Sequence, residues 1–232
     1  MKFVERENEI IKIIKKLSEA KLDFIVVGGY AVSSLAKHRF SVDCDLVVKR
    51  TDIEKFKETL ETEGWKRMIE KKGFDQTYGG WFENFEKRID NLPITVDLLV
   101  ESIASRTTNA SWGFEYVKKH STMASVSGTE LHTGCRVPEK ELLVAMKIHS
   151  ARKTDIRDVI MLKDADWEKI FEHSKRGDIK ILKDQIEKII KSLDDKSLVD
   201  SLKGVFTLTK NVSRDIEQTR KKLEWLDKKI EV

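Results

Sequence analysis

The stretch from Asp23 to Lys49 constrains the fold of this 232-residue chain more than any other. It opens with Phe24-Ile25-Val26-Val27, a short apolar run rich in β-branched residues that reads as a buried strand. Gly28-Gly29 ends the run, and Tyr30 to Lys37 then reads as a helix. Val42 to Lys49 (VDCDLVVK) is a second strand. A strand that runs into glycines and then a helix brings bare backbone N–H groups and a helix N-terminus together, which suits an anion such as phosphate. Glycine is needed there because the backbone must approach the phosphate closely. No third glycine follows at the Rossmann spacing, and no P-loop pattern exists.

The second strand carries Asp43 and Asp45. Side chains alternate along a strand, so both acids project from one face while Cys44 and Leu46 go to the other. Two adjacent acids repel unless something cationic lies between them, and a divalent cation with oxygen ligands meets that need. A third strand, Ile94 to Val100 (ITVDLLV), carries Asp97 in an otherwise apolar setting. A lone charge there needs a partner. If this strand lies beside the second, three carboxylates converge, a geometry for two metal ions in phosphoryl or nucleotidyl transfer.

The remaining segments fill in an α/β (α+β) class: a small mixed sheet flanked by helices, then a helical C-terminal region. Phe3 to Ala20 has an apolar helical face, and Thr51-Asp52 offers a cap for a helix over Ile53 to Glu63. Gly64 to Asn91 reads as hairpin and loop, its Trp65, Phe74, Trp81, Phe82 and Phe85 mainly packing, as is Trp112. Residues 122–137 read as further strands. From Glu139 to Val232 the apolar spacing is helical throughout, which divides the chain into 1–138 and 139–232. Ser213 to Val232 reads as a solvated helix packed on one face.

Composition excludes several classes. There are 44 basic and 40 acidic residues for a net charge of +4, a mild bias that permits a polyanionic partner without demanding one. No run approaches the ~20 apolar residues of a membrane span, Met1 to Glu7 lack the apolar core of a signal peptide, and a cytoplasmic protein with no membrane partner is expected. Two cysteines without paired spacing give neither a disulfide framework nor a cysteine zinc site. The five histidines show no metal-ligand spacing.

Gly28-Gly29, thirteen residues, then Asp43-Cys44-Asp45-Leu46, with Asp97 as the later acid, resembles the signature of the DNA polymerase β-like nucleotidyltransferases. Within them, GGYAVSSLAKHRFSVDCDLVV is most similar to the AbiEii/MenT-like toxin nucleotidyltransferases and their uncharacterised prokaryotic relatives, which often read Arg-x-Thr/Ser-x-Asp-x-Asp where this chain has Arg39-Phe40-Ser41-Val42-Asp43-Cys44-Asp45. Lys147, Arg152, Lys153, Asp155 and Asp158 resemble the helical Lys and Asp-x-x-Asp segment of that group. The resemblance covers roughly residues 24–165. It implies an enzyme that moves a nucleoside monophosphate from an NTP to an acceptor and releases pyrophosphate. Asp43, Asp45 and Asp97 would be catalytic and hold two Mg²⁺ ions, with Mn²⁺ able to substitute. Gly28, Gly29, Arg39, Ser41, Lys147 and Asp158 would bind the nucleotide. A tRNA 3′ end or other RNA is the acceptor suggested by the toxin-type likeness, with a small molecule or a protein side chain as alternatives. The same likeness allows an antitoxin-like protein partner, or a non-catalytic role in such a pair.

Overall fold

The acids' position is decided by a five-stranded mixed sheet. The computed structural model describes residues 2–73, 75–208 and 212–230, and it divides into two compact units. The first comprises residues 1–104 and 111–138, the second residues 105–110 and 139–232. Phe74 lies outside the described residues, as do the last two positions of the C-terminal segment.

In the first unit, α1 (Lys2–Glu19) precedes β1 (Phe24–Val27), α2 (Gly28–Leu35) and β2 (Asp43–Val48). Then come α3 (Ile53–Thr62), β3 (Lys66–Lys71), β4 (Trp81–Ile89) and β5 (Leu92–Val100). The sheet order is β1-β2-β5-β4-β3, antiparallel except for the β2–β5 pair, which is parallel. The segment read as hairpin and loop therefore supplies two sheet strands, and β4 pairs with β5 along its whole length. The helix after the glycines begins at the pair itself, two residues earlier than the spacing suggests. Asp52 occupies the N-cap position of α3 without a side-chain capping bond; its carboxylate accepts from Lys55 Nζ at 3.2 Å instead.

Alternation along the strands gives the sheet two unlike faces. Cys44, Leu46, Val96, Leu98 and Phe85 are fully buried on one of them. That face is the helix-covered one: Lys57 of α3 approaches Glu83, and Lys87 donates to Glu9 of α1. The apolar stripe of α1 (Ile10, Ile13, Ile14, Leu17) is buried with it. Asp43, Asp45 and Asp97 take the opposite face, as a period of two requires. The rest of the unit is a short ribbon of β6 (Ser102–Ala104) and β7 (Ser111–Gly113), then α4 (Phe114–Lys119), and a hairpin of β8 (Ser121–Ser127) and β9 (His132–Pro138). The ribbon and α4 are additions to the elements read from the sequence.

The second unit is helical: α5 (Lys140–Ser150), α6 (Lys153–Met161), α7 (Trp167–Ser174), α8 (Ile179–Ser192), α9 (Ser197–Phe206) and α10 (Val212–Lys229), with no strand among the described residues. α5 is buried from Leu142 to His149 because α6, α7 and α8 all pack on it. α10 buries Val212, Ile216, Leu223 and Leu226 and leaves its charged positions outward. The 105–110 loop also joins this unit. Its Thr108 Oγ1 lies 2.7 Å from His149 Nδ1, and the Asp178 N–H donates to the Thr108 carbonyl. No helix among the described residues is long and apolar enough to cross a membrane.

Candidate active site

The parallel register sets Asp45 directly opposite Asp97, and Asp43 opposite Thr95. β4 adds Asn84 opposite Asp97 on the far side. Asp43 and Asp97 are each held by a neighbour on the next strand. Thr95 Oγ1 donates to Asp43 Oδ1 at 2.9 Å, and Asn84 Nδ2 donates to Asp97 Oδ1 at 2.6 Å. Asp43 is exposed, while Asp45 and Asp97 are half-buried. Burial, and then the charge of Asp45, push the Asp97 carboxyl up to about 7, against the Asn84 hydrogen bond that favours its ionised form. Carboxylates gathered this closely gain from a cation in their midst. The donors are oxygens alone, the set that hard divalent ions take. Cys44 points to the other face, where burial holds its thiol well above the usual range.

The glycine pair closes on these acids. Gly28 has φ +65°, a left-handed conformation that glycine adopts without strain. A Cβ on it would lie 2.1 Å from Asp45 Oδ2, so the carboxylate rests where any other residue would put its side chain. A Cβ on Gly29 would lie 3.0 Å from Arg39 Nη2 and 3.2 Å from Ser41 Oγ. The N-terminus of α2, one guanidinium, one hydroxyl and three carboxylates thus meet at one end of β1 and β2. Ser41 Oγ also donates to the Asp43 carbonyl at 3.2 Å.

Seven of the residues expected to act together are therefore gathered: Gly28, Gly29, Arg39, Ser41, Asp43, Asp45 and Asp97. Lys147 and Asp158 lie in the second unit, in a cluster of their own. Lys147 is 6% exposed, far from the surface position a helical lysine usually takes. Its Nζ stands 2.8 Å from Asp155 Oδ1 and 2.9 Å from Asp158 Oδ2. Burial alone would lower its pKa, but the two carboxylates hold it above the ordinary lysine value. Asp155 is held low by the same pairing, against its burial, and also accepts from Ser150 and Arg152 at the start of α6.

Thr95 and Asn84 join the candidate site although no motif singles them out. Thr95 carries a usable signal, since it stands two places before Asp97 and shares its strand face. Asn84 carries none, because only the β4–β5 register brings it to Asp97.

The sequence matches the model of a family described as uncharacterised nucleotidyltransferases over residues 5–192. That span is most of the chain, and the protein belongs to this family; it is a nucleotidyl-transferring enzyme. The match takes in α1, α7 and α8, beyond the region of resemblance read from the motifs alone. Among solved structures, a protein of H. pylori described as a nucleotidyltransferase aligns at 15% identity and a TM-score of 0.50, covering 98% of this chain and 96% of that one. JHP933 from Helicobacter pylori aligns at 14% and 0.50, covering 97% and 92%. The lincosamide antibiotic adenylyltransferase LnuA, with lincomycin bound, aligns at 18% and 0.47 over 68% of this chain and 96% of its own. The two Helicobacter likenesses are of fold. No curated protein matches the chain.

Proposed function

We propose that this enzyme transfers a nucleoside monophosphate from an NTP to an acceptor hydroxyl, releasing pyrophosphate, with Mg²⁺ held by Asp43, Asp45 and Asp97. One observation carries the reading: three carboxylates share a sheet face with Asp45 seated against the Cα of Gly28, at the mouth of a helix N-terminus. The backbone N–H groups of α2 and the Arg39 guanidinium would take the phosphate charge, and Ser41 would donate a hydrogen bond. Bound Mg²⁺ would neutralise the triphosphate and stabilise charge developing on the attacking and leaving oxygens. The acceptor oxygen forms a bond to the α-phosphorus while the bond from that phosphorus to the bridging oxygen breaks. The acceptor proton passes to the Asp97 carboxylate, which Asn84 holds in place.

Lys147 and Asp158 enter the proposal through the family resemblance, Lys147 as a phosphate contact and Asp158 as the group that orients it; their 2.9 Å ion pair supports the second of these roles. The toxin-type resemblance favours an RNA 3′ end, a tRNA first, as acceptor. A label-transfer assay tests the whole reading. Protein and its Asp45→Asn variant are given Mg²⁺, each α-labelled NTP in turn, and total RNA, a small-molecule pool or the protein itself as acceptor. Label on RNA with wild type alone is the expected result. Label on a small molecule or on protein would keep the chemistry and replace the acceptor. Equal transfer by Asp45→Asn would refute the site.

A further inference from the structure

We infer that Glu7, acting through His38, is a positioning residue for the loop that presents Arg39 and Ser41 to the glycine pair; this rests on the nucleotide-binding role proposed for those two residues. Glu7 belongs to α1, far from the motif in sequence, and it is fully buried. A buried carboxylate is costly unless hydrogen bonds surround it, and this one is well supplied. Its Oε1 is 2.7 Å from His38 Nε2. Its Oε2 accepts from the Thr129 N–H at 2.6 Å and from Thr129 Oγ1 at 2.8 Å, in the turn of the β8–β9 hairpin. A Cβ on Gly128 would lie 2.7 Å from Glu7 Cγ, so that turn is packed tightly on the side chain. The fixed end of the Glu7 carboxylate is therefore the hairpin, and the end it controls is His38.

His38 stands beside Arg39 in residues 36–42, the link between α2 and β2. Side chains govern the shape of that link. Ser33 Oγ accepts from the Arg39 N–H at 3.2 Å and lies 3.3 Å from the Arg39 carbonyl. Tyr30 donates its hydroxyl to the Ser41 carbonyl at 3.0 Å. Phe40 meets Phe3 edge to face at 5.1 Å between ring centroids, with the Arg6 guanidinium over its ring. Three residues of α1's first turns (Phe3, Arg6, Glu7) thus hold His38 and Phe40, on either side of Arg39. Losing the Glu7–His38 contact frees the link to move Arg39 and Ser41 away from Gly29, while Asp43, Asp45 and Asp97 stay on their strands.

The probe is inorganic tripolyphosphate, which reports on the phosphate cradle without a base or an acceptor, titrated calorimetrically with Mg²⁺ present. Mn²⁺ binding by electron paramagnetic resonance reports separately on the acids, and thermal unfolding monitors each variant. His38→Ala and Glu7→Ala should each weaken tripolyphosphate about tenfold, the scale of one charge-assisted hydrogen bond, and the double variant should be no weaker than either. Mn²⁺ binding should stay at the wild-type level. His38→Gln, whose amide can donate to Glu7, should recover most of the affinity. Thr129→Val should lower the unfolding temperature and leave tripolyphosphate binding intact, which a purely structural role for Glu7 would not produce. A folded His38→Ala protein with wild-type affinity overturns the inference while Arg39→Ala remains impaired. A wild-type protein that binds no tripolyphosphate, or one indifferent to Arg39→Ala, overturns the nucleotide-binding reading and this inference with it.

Discussion

Alanine in place of Gly28 tests the join between the glycine pair and the acids. Two terms act. The backbone there has φ +65°, and a side chain in the left-handed region costs about 1–2 kcal/mol. The added Cβ would also lie 2.1 Å from Asp45 Oδ2, so the carboxylate must retreat by more than 1 Å. Overpacking costs about 1–3 kcal/mol, and the lower end applies here because Asp45 is half-exposed and its carboxylate can swing. The total of about 2–3 kcal/mol should lower the unfolding temperature by about 5–10 °C for a chain of this size. A displacement of about 1 Å in a catalytic group can reduce turnover by about 10²-fold, so transfer should suffer far more than the fold. The double variant Gly28→Ala/Asp45→Ala separates the terms, since it keeps the strain and removes the collision. Urea unfolding of all four proteins should give a coupling of about 1 kcal/mol, with the alanine at 28 better tolerated once Asp45 is gone. Strict additivity, or a Gly28→Ala protein with full transfer activity, would refute the close approach of Asp45 to Gly28.

Asp45→Asn should reduce transfer by about 10²–10³-fold or more, and without added cation its unfolding temperature should equal or exceed that of wild type, because one repelling charge is gone; a large loss of stability would count against repulsion among the acids. Lys147→Met removes the ammonium that Asp155 and Asp158 share and leaves Arg152 on Asp155, so it should cost about 3 kcal/mol in urea unfolding, the lower end for a broken buried pair; a loss under about 1 kcal/mol would refute the ion cluster's structural role. His149 is buried, and its pKa falls from the ordinary 6.5 to about 4. The folded protein therefore keeps the ring neutral where the unfolded chain takes a proton. This contribution is fully present above pH 6.5 and is lost as the pH drops from there towards 4, by about 3 kcal/mol in all. Unfolding of wild type and His149→Gln at pH 7 and pH 4.5 should show the steeper acid loss in wild type, and parallel losses would contradict it.

Much of the site was legible because its chemistry is local. Asp43 and Asp45 share a face by strand alternation whatever the neighbours do, and Gly28-Gly29 can only follow β1 closely. Asp97 was legible as an anomaly, a charge within ITVDLLV. Its partner was not, since Asn84 belongs to a segment whose two strands are recognisable only once β5 is there to pair with. β3 shows the same limit: every residue of KRMIEK is exposed, so no apolar alternation marks it as a strand. Nothing near Lys147 in the sequence marks it as buried. Helical lysines are normally solvated, and its burial follows from Asp155 and Asp158 lying on the next helix.

Local order along the chain is enough for the alternation that separates three acids from an apolar core, the glycines that let a carboxylate approach the backbone, and the helical character after residue 138. Periodicity and conformational freedom are properties of neighbouring residues, and they survive without a fold. Long-range packing set the strand order that puts Asp45 against Asp97, the pairings that give Asp43 and Asp97 their hydrogen bonds, and the reach of Glu7 from the first helix to His38. Those depend on register and on contacts between residues far apart in the chain, and a carboxylate's charge, burial and proton affinity are settled only when such contacts form.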